Sequence, residues 1–166
     1  LVFGGNENGL KQLSEQLPPK DRFPMRLFNH AAFHTPLQQP VKEQARKQLS
    51  DLTFSAPKVP LVDGRGHIWT PWSSDPDALW DYTLGEQLTE HYDFTRAINV
   101  VAKEFAPDRI IITGPGTTLG GAVAQSLIQA KWRNLSSKAD FQQRQKEAPI
   151  LLAMGMEEQR KRGVTL

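Results

Sequence analysis

The chain has 166 residues, 39% hydrophobic and 23% charged, a balance that excludes disordered and fibrous classes and suits one compact domain. It contains no cysteine, so disulfides, thiolate metal sites and thiol nucleophiles are excluded, and any chemistry falls to oxygen and nitrogen groups. The formal net charge of +2 is uneven, because residues 131 to 166 carry +4 and leave −2 on the first 130.

No apolar run approaches the ~20 residues that a bilayer-crossing helix needs. The amino terminus also lacks the basic-then-apolar layout of a secretory signal. A cytoplasmic protein with no membrane partner is therefore expected. The basic tail suits an acidic partner, yet its only aromatics are Trp132 and Phe141. The interleaved aromatics of single-strand binders are missing, so nucleic acid is set aside.

In chain order, Leu1-Val2-Phe3 reads as a buried strand running into a Gly4-Gly5 turn, as if the chain began mid-fold. Leu10, Leu13 and Leu17 recur at helical spacing before Pro18-Pro19, which predicts a short amphipathic helix. Phe23 to Phe28 reads as a returning strand, completing a β-α-β start. Val41, Ala45, Leu49 and Leu52, with Pro40 in the first turn, predict a second helix. Val59 to Val62 and His67 to Thr70 are strand candidates around the turn Asp63-Gly64-Arg65-Gly66, and Pro60 requires any strand there to be an edge or short. Ser74, Asp75 and Pro76 start a further helix. Phe94, Ile98, Val101 and Phe105 mark another, which stops before Pro107. Ile110 to Ile112 predicts a strand buried on both faces, and a glycine-rich turn capped by Thr117 or Thr118 leads into a helix bearing Leu119, Val123 and Leu127. The tail is polar apart from an apolar knot at Ile150 to Met154. Strands alternating with helices predict an α/β layered fold.

Two histidines, His30 and His34, lie four apart in "NHAAFHTPLQQP". Zinc chelation on a helix is set aside, because Ala31 and Ala32 stand where a metalloprotease motif carries its glutamate. No metal is expected. His34 reads either as a general base, which needs an orienting partner and a hydroxyl within reach, or as a structural histidine at a strand end. "GPGTTLGG" is a poor phosphate cradle. It has no P-loop lysine, and glycines 114, 116 and 120 are spaced one residue longer than the dinucleotide fingerprint. A tight strand-to-helix turn is the plainer reading. None of the eight serines sits in a Gly-x-Ser-x-Gly elbow, so the chain holds a candidate base without a candidate nucleophile.

"AAFHTPL" at 31 to 37, "EQLTEHYDF" at 86 to 94 and "TGPGTTLGG" at 113 to 121, in that order and at about that spacing, resemble the malonyl-CoA:acyl carrier protein transacylase family. The likeness covers residues 1 to about 130. It implies an α/β-hydrolase-like acyltransferase domain, present as its C-terminal part, with half of an inserted ferredoxin-like small subdomain. On that likeness residues 1–30 are the second half of the small subdomain, 31–130 the C-terminal part of the core, and 131–166 a basic C-terminal extension. The implied reaction moves a malonyl group from coenzyme A to the phosphopantetheine thiol of an acyl carrier protein through a Ser-His dyad, with no cofactor beyond these substrates. His34 matches the catalytic histidine, and Gln87 a glutamine whose backbone carbonyl orients it. Phe33 matches a position that bears on extender choice, where phenylalanine narrows the room for an α-methyl group. The discrimination available from one methyl is only about 1 to 3 kcal/mol.

This sequence departs from the family at His91-Tyr92, where a Pro-Val is usual, and at Ile112, where an acidic residue is usual. The serine elbow, the carboxylate-binding arginine and the oxyanion-hole residues lie upstream in the family, so the expected partners are malonyl-CoA, the carrier protein and an N-terminal half of the same enzyme. This chain alone is expected to be inactive. Two alternatives remain: a non-catalytic carrier-protein docking or scaffold module of the same fold, and a nucleotide-binding α/β domain using 114 to 121.

Overall fold

A computed structural model describes residues 1–21, 23–28, 30–114 and 116–164. The architecture is mixed α/β, about half helix, with two small sheets. The backbone divides into two compact units, residues 1–61 with 68–92 and residues 62–67 with 93–166. Among the described residues no helix is long and apolar enough to cross a membrane.

The first unit opens with helix α1, Glu7–Gln16, capped by Asn6, whose side chain accepts from the Gly9 amide at 2.9 Å. An N-cap side chain of this kind satisfies one of the amides a helix start leaves without a partner. The helix ends at Leu17, directly before the Pro18-Pro19 pair. Neither flanking strand forms. Leu1 to Phe3 belongs to no strand, and all three side chains are exposed. Phe23 is joined to Lys20 by an isolated bridge. An apolar run needs a ladder partner to become a strand, and Pro24 withholds a donor from one. The predicted β-α-β start is therefore corrected to a single helix. Glu7 pairs with Arg26, tying the helix start to the following segment.

Next comes a 3-10 turn at Pro36–Gln38, which leads into α2, Gln39–Gln48, with Pro40 in its first turn. Pro40 fits there because the first-turn amides have no intrahelical acceptor. The helix stops before Leu49 and Leu52, which remain partly exposed. Two-residue strands follow as expected, β1 at Leu61–Val62 and β2 at Ile68–Trp69, paired as a small sheet. Helix α3, Pro76–Asp81, is capped by Asp75, which accepts from the Asp77 amide at 2.9 Å. It runs without a break into a π-type turn, Tyr82–Glu86, and a final turn, α4, Gln87–Thr89. Trp69, Leu79 and Tyr82 form the core of this unit, with Phe54 against them. Arg46 of α2 holds α3 through Asp81 at 2.6 Å and lies 4.5 Å over the Trp80 ring.

In the second unit, α5, Phe94–Glu104, is capped by Asp93, which accepts from the Arg96 amide at 2.9 Å. Strand β3, Ile110–Ile112, pairs in parallel with β4, Leu151–Ala153, in the register Ile110 to Leu151 and Ile112 to Ala153. Helix α6 spans Leu119–Gln129, α7 Lys138–Glu147 and α8 Glu157–Val164. Two expectations are corrected here. Ile111 is 49% exposed, because β3 is an edge and buries only alternate side chains. Thr118 occupies the N-cap of α6 but makes no side-chain capping bond. The tail is far from being only a solvated face. Trp132, Leu135, Ile150 and Leu151 pack with Ala102, Val123 and Leu127 in one core.

Candidate functional site

The site is built where a helix ends. Glu90 leaves helical geometry for an extended conformation, and its amide makes the last bond of the run, to Glu86 at 2.8 Å. Carbonyls in the last turn of a helix have no intrahelical donor and must be satisfied from elsewhere. His34 takes two of them. Its Nδ1 lies 2.6 Å from the Gln87 carbonyl oxygen, and its backbone amide donates to the Leu88 carbonyl at 2.9 Å. A carbonyl oxygen only accepts, so Nδ1 carries the proton, and in the neutral ring Nε2 is left with the lone pair.

His34 adopts a φ of 62°, the left-handed region that a side-chain-bearing residue rarely enters. The two bonds to residues 87 and 88 hold it there. On the near side Thr35 donates its hydroxyl to the Ala32 carbonyl at 2.7 Å, and Pro36 starts the 3-10 turn at once. Gly4 lies so close to this loop that a Cβ would stand 3.0 Å from both the Ala32 Cβ and the Thr35 Cγ2.

The imidazole is exposed. Its ring centroid lies 5.1 Å from that of Tyr92 and 6.5 Å from that of Phe33, and Phe33 is itself 50% exposed. The three residues singled out in the sequence, Phe33, His34 and Gln87, are thus brought together. Tyr92 is an addition that sequence reasoning registered only as a departure at position 92. Its spacing of five residues from Gln87 across a helix end carried no periodic signal. The π-type turn was likewise unread; such turns recur near functional sites and shift the carbonyls that follow them.

His30 is apart from this arrangement. Its Nδ1 is engaged by the Phe28 carbonyl at 2.7 Å, so the i, i+4 histidine pair does not present two free nitrogens on that side. In the other glycine-rich candidate, Gly114 and Gly116 have φ of 98° and 86°. The Gly116 carbonyl oxygen lies where a Cβ on Gly155 would come within 2.1 Å. Both φ values are ones that favour glycine, and the tail passes close to Gly116 at Gly155.

Over 60 residues, 36% of its length, the chain is 32% identical to a protein described as "Probable polyketide synthase 44" from Dictyostelium discoideum. It spans about 2% of that relative. No family model matches the chain, and no solved structure matches it. A region of the chain is therefore related to a polyketide synthase.

Proposed function

We propose that the chain supplies the histidine-bearing part of an acyltransferase that moves malonyl groups from coenzyme A to an acyl carrier protein. The observation that carries this reading is the 2.6 Å contact of His34 Nδ1 with the Gln87 carbonyl. It leaves Nε2 as the basic nitrogen on an exposed ring, in the part of the sequence that resembles the transacylase family. The partial likeness to a polyketide synthase supports an acyl-transfer setting.

In this reading Nε2 takes the proton of a serine hydroxyl supplied from outside these 166 residues, and the alkoxide attacks the malonyl thioester carbonyl. As the tetrahedral intermediate collapses, the imidazolium returns the proton to the departing coenzyme A thiolate. In the second half Nε2 takes the proton of the carrier's phosphopantetheine thiol. The thiolate attacks the malonyl-serine ester, and the proton goes back to the serine oxygen. The Gln87 carbonyl does the orienting work of an aspartate. The partial negative charge at this helix end also has the sign that offsets an imidazolium. Phe33 borders the acyl group and disfavours an α-methyl branch. Residues 31–130 then belong to an α/β-hydrolase-like core, residues 1–30 to an inserted small subdomain, and 131–166 extend the core.

The test is a complete acyltransferase in which this chain is joined by its serine-bearing half. His34→Ala is expected to slow labelled malonyl transfer to the carrier by about 10²- to 10⁴-fold. Unchanged turnover would end the assignment.

A further inference from the structure

We infer that Tyr92 is a positioning residue for His34: its ring forms the wall that keeps Nδ1 on the Gln87 carbonyl and Nε2 outward. The inference rests on the acyl-transfer reading only for what the aimed nitrogen does, not for the aiming itself.

The Gln87 contact is a single hydrogen bond. It fixes where one nitrogen lies but leaves the imidazole plane free to swing about that bond. The Leu88 contact holds the backbone of His34 and does not touch the ring. An exposed ring offers water as a rival partner for Nδ1, and a free imidazole has no need of this tautomer. Something must restrict the plane. Tyr92 is placed to do so, with ring centroids 5.1 Å apart and planes inclined at 47°. That separation lies within the packing range of tilted aromatic pairs. Phe33, at 6.5 Å and 52°, is farther away and half exposed, which makes it the weaker restraint.

Tyr92 can hold this place because the chain leaves the helix at Glu90. From there it passes back beside the same helix end whose carbonyls grip His34. One short segment, 87 to 92, thus supplies the acceptor for Nδ1, the acceptor for the backbone amide and the wall for the ring. The ring is what the function needs; the phenol oxygen is not required.

The experiment uses the chain itself, labelled with ¹⁵N on histidine, with His34→Ala identifying the His34 signals. At a pH where the ring is neutral, the wild type and Tyr92→Phe are expected to show the Nδ1-protonated tautomer. Tyr92→Ala and Tyr92→Leu should shift His34 to a mixture of tautomers while its backbone amide stays protected from exchange. A pure Nδ1-protonated signal in Tyr92→Ala overturns the inference. So does a mixed signal in Tyr92→Phe, which would give the task to the hydroxyl. Loss of amide protection in both Tyr92→Ala and Tyr92→Leu overturns it as well, since Tyr92 would then be holding the backbone. None of these outcomes depends on acyl transfer, so a failure here is distinct from a failure of His34→Ala in the complete enzyme. In that enzyme Tyr92→Ala should lower kcat by about tenfold or more with KM little changed, and Tyr92→Phe should restore it.

Discussion

A left-handed backbone at a residue with a full side chain costs on the order of 1 to 2 kcal/mol, and His34 at φ 62° bears that cost. Two hydrogen bonds to the carbonyls of Gln87 and Leu88 are of comparable net size, about 1 kcal/mol each. They offset the strain, and the Gln87 bond fixes where Nδ1 lies. A buried carboxylate, Asp63, is likewise held at a tight turn. The Asp63 side chain is 3% exposed. Burial opposes its charge, but the Arg65 guanidinium at 2.7 Å and the amides of Arg65 and His67 at 2.9 and 3.0 Å prevail. They hold its carboxyl below the ordinary value of 3.8. Because the folded value is the lower one, the stabilisation is complete above the ordinary carboxylate value and is lost as pH falls through the folded value. Asp63→Asn should therefore lower the urea midpoint near neutral pH, and its deficit against the wild type should shrink below about pH 4. A deficit that stays constant with pH would refute this account.

At the scale of elements, helices were readable from a start signal or from an apolar stripe. Asp75 with Pro76 marks the start of α3, and the stripe from Phe94 to Val101 marks α5, whose Asp93 cap emerges only in the structure. Strands were readable only where a partner existed. Ile110 to Ile112 pairs with Leu151 to Ala153, whereas Leu1 to Phe3 has an equally apolar run and forms no strand. The outer edge of β4 shows why this pair persists. Gln145 accepts from the Ile150 and Leu151 amides at 2.8 and 2.9 Å and donates to the Leu151 carbonyl at 2.8 Å. Gln159 accepts from the Ala153 amide at 2.8 Å. Side-chain amides thus replace a third strand and satisfy backbone groups that would be costly to bury unpaired. Gln145→Ala should destabilise the fold by about 1 to 3 kcal/mol and speed hydrogen exchange at Ile150 and Leu151. Unaltered exchange at those two amides would show that the edge needs no such seal.

At the scale of the whole molecule, the polar tail turns out to complete a core. Trp132 donates its indole N–H to the Ala102 carbonyl at 3.2 Å, and Leu135 and Leu152 are among the most fully buried side chains. A chain ending at residue 130 would lose these groups together with β4, the partner of β3. Exchange protection of the α5 and α6 amides should then fall to that of an unfolded chain, because removal of several buried side chains at about 2 to 5 kcal/mol each exceeds the stability of a typical domain. Retained protection would show that 93–130 folds without the tail. What the amino-acid order determined by itself was local: caps, helical stripes, turn residues, and His34 as a candidate base, which Phe33 and Gln87 joined only through the family resemblance. What only the tertiary structure decided was non-local: which apolar runs found a ladder partner, that the tail is core, and that Tyr92 and two helix-end carbonyls converge on one histidine, the Gln87 carbonyl on its ring and the Leu88 carbonyl on its backbone amide. Helix periodicity and capping act within a few residues and leave a mark on the chain, whereas contacts between residues 34 and 87 to 92, or 110 and 151, obey no spacing that a linear reading can detect.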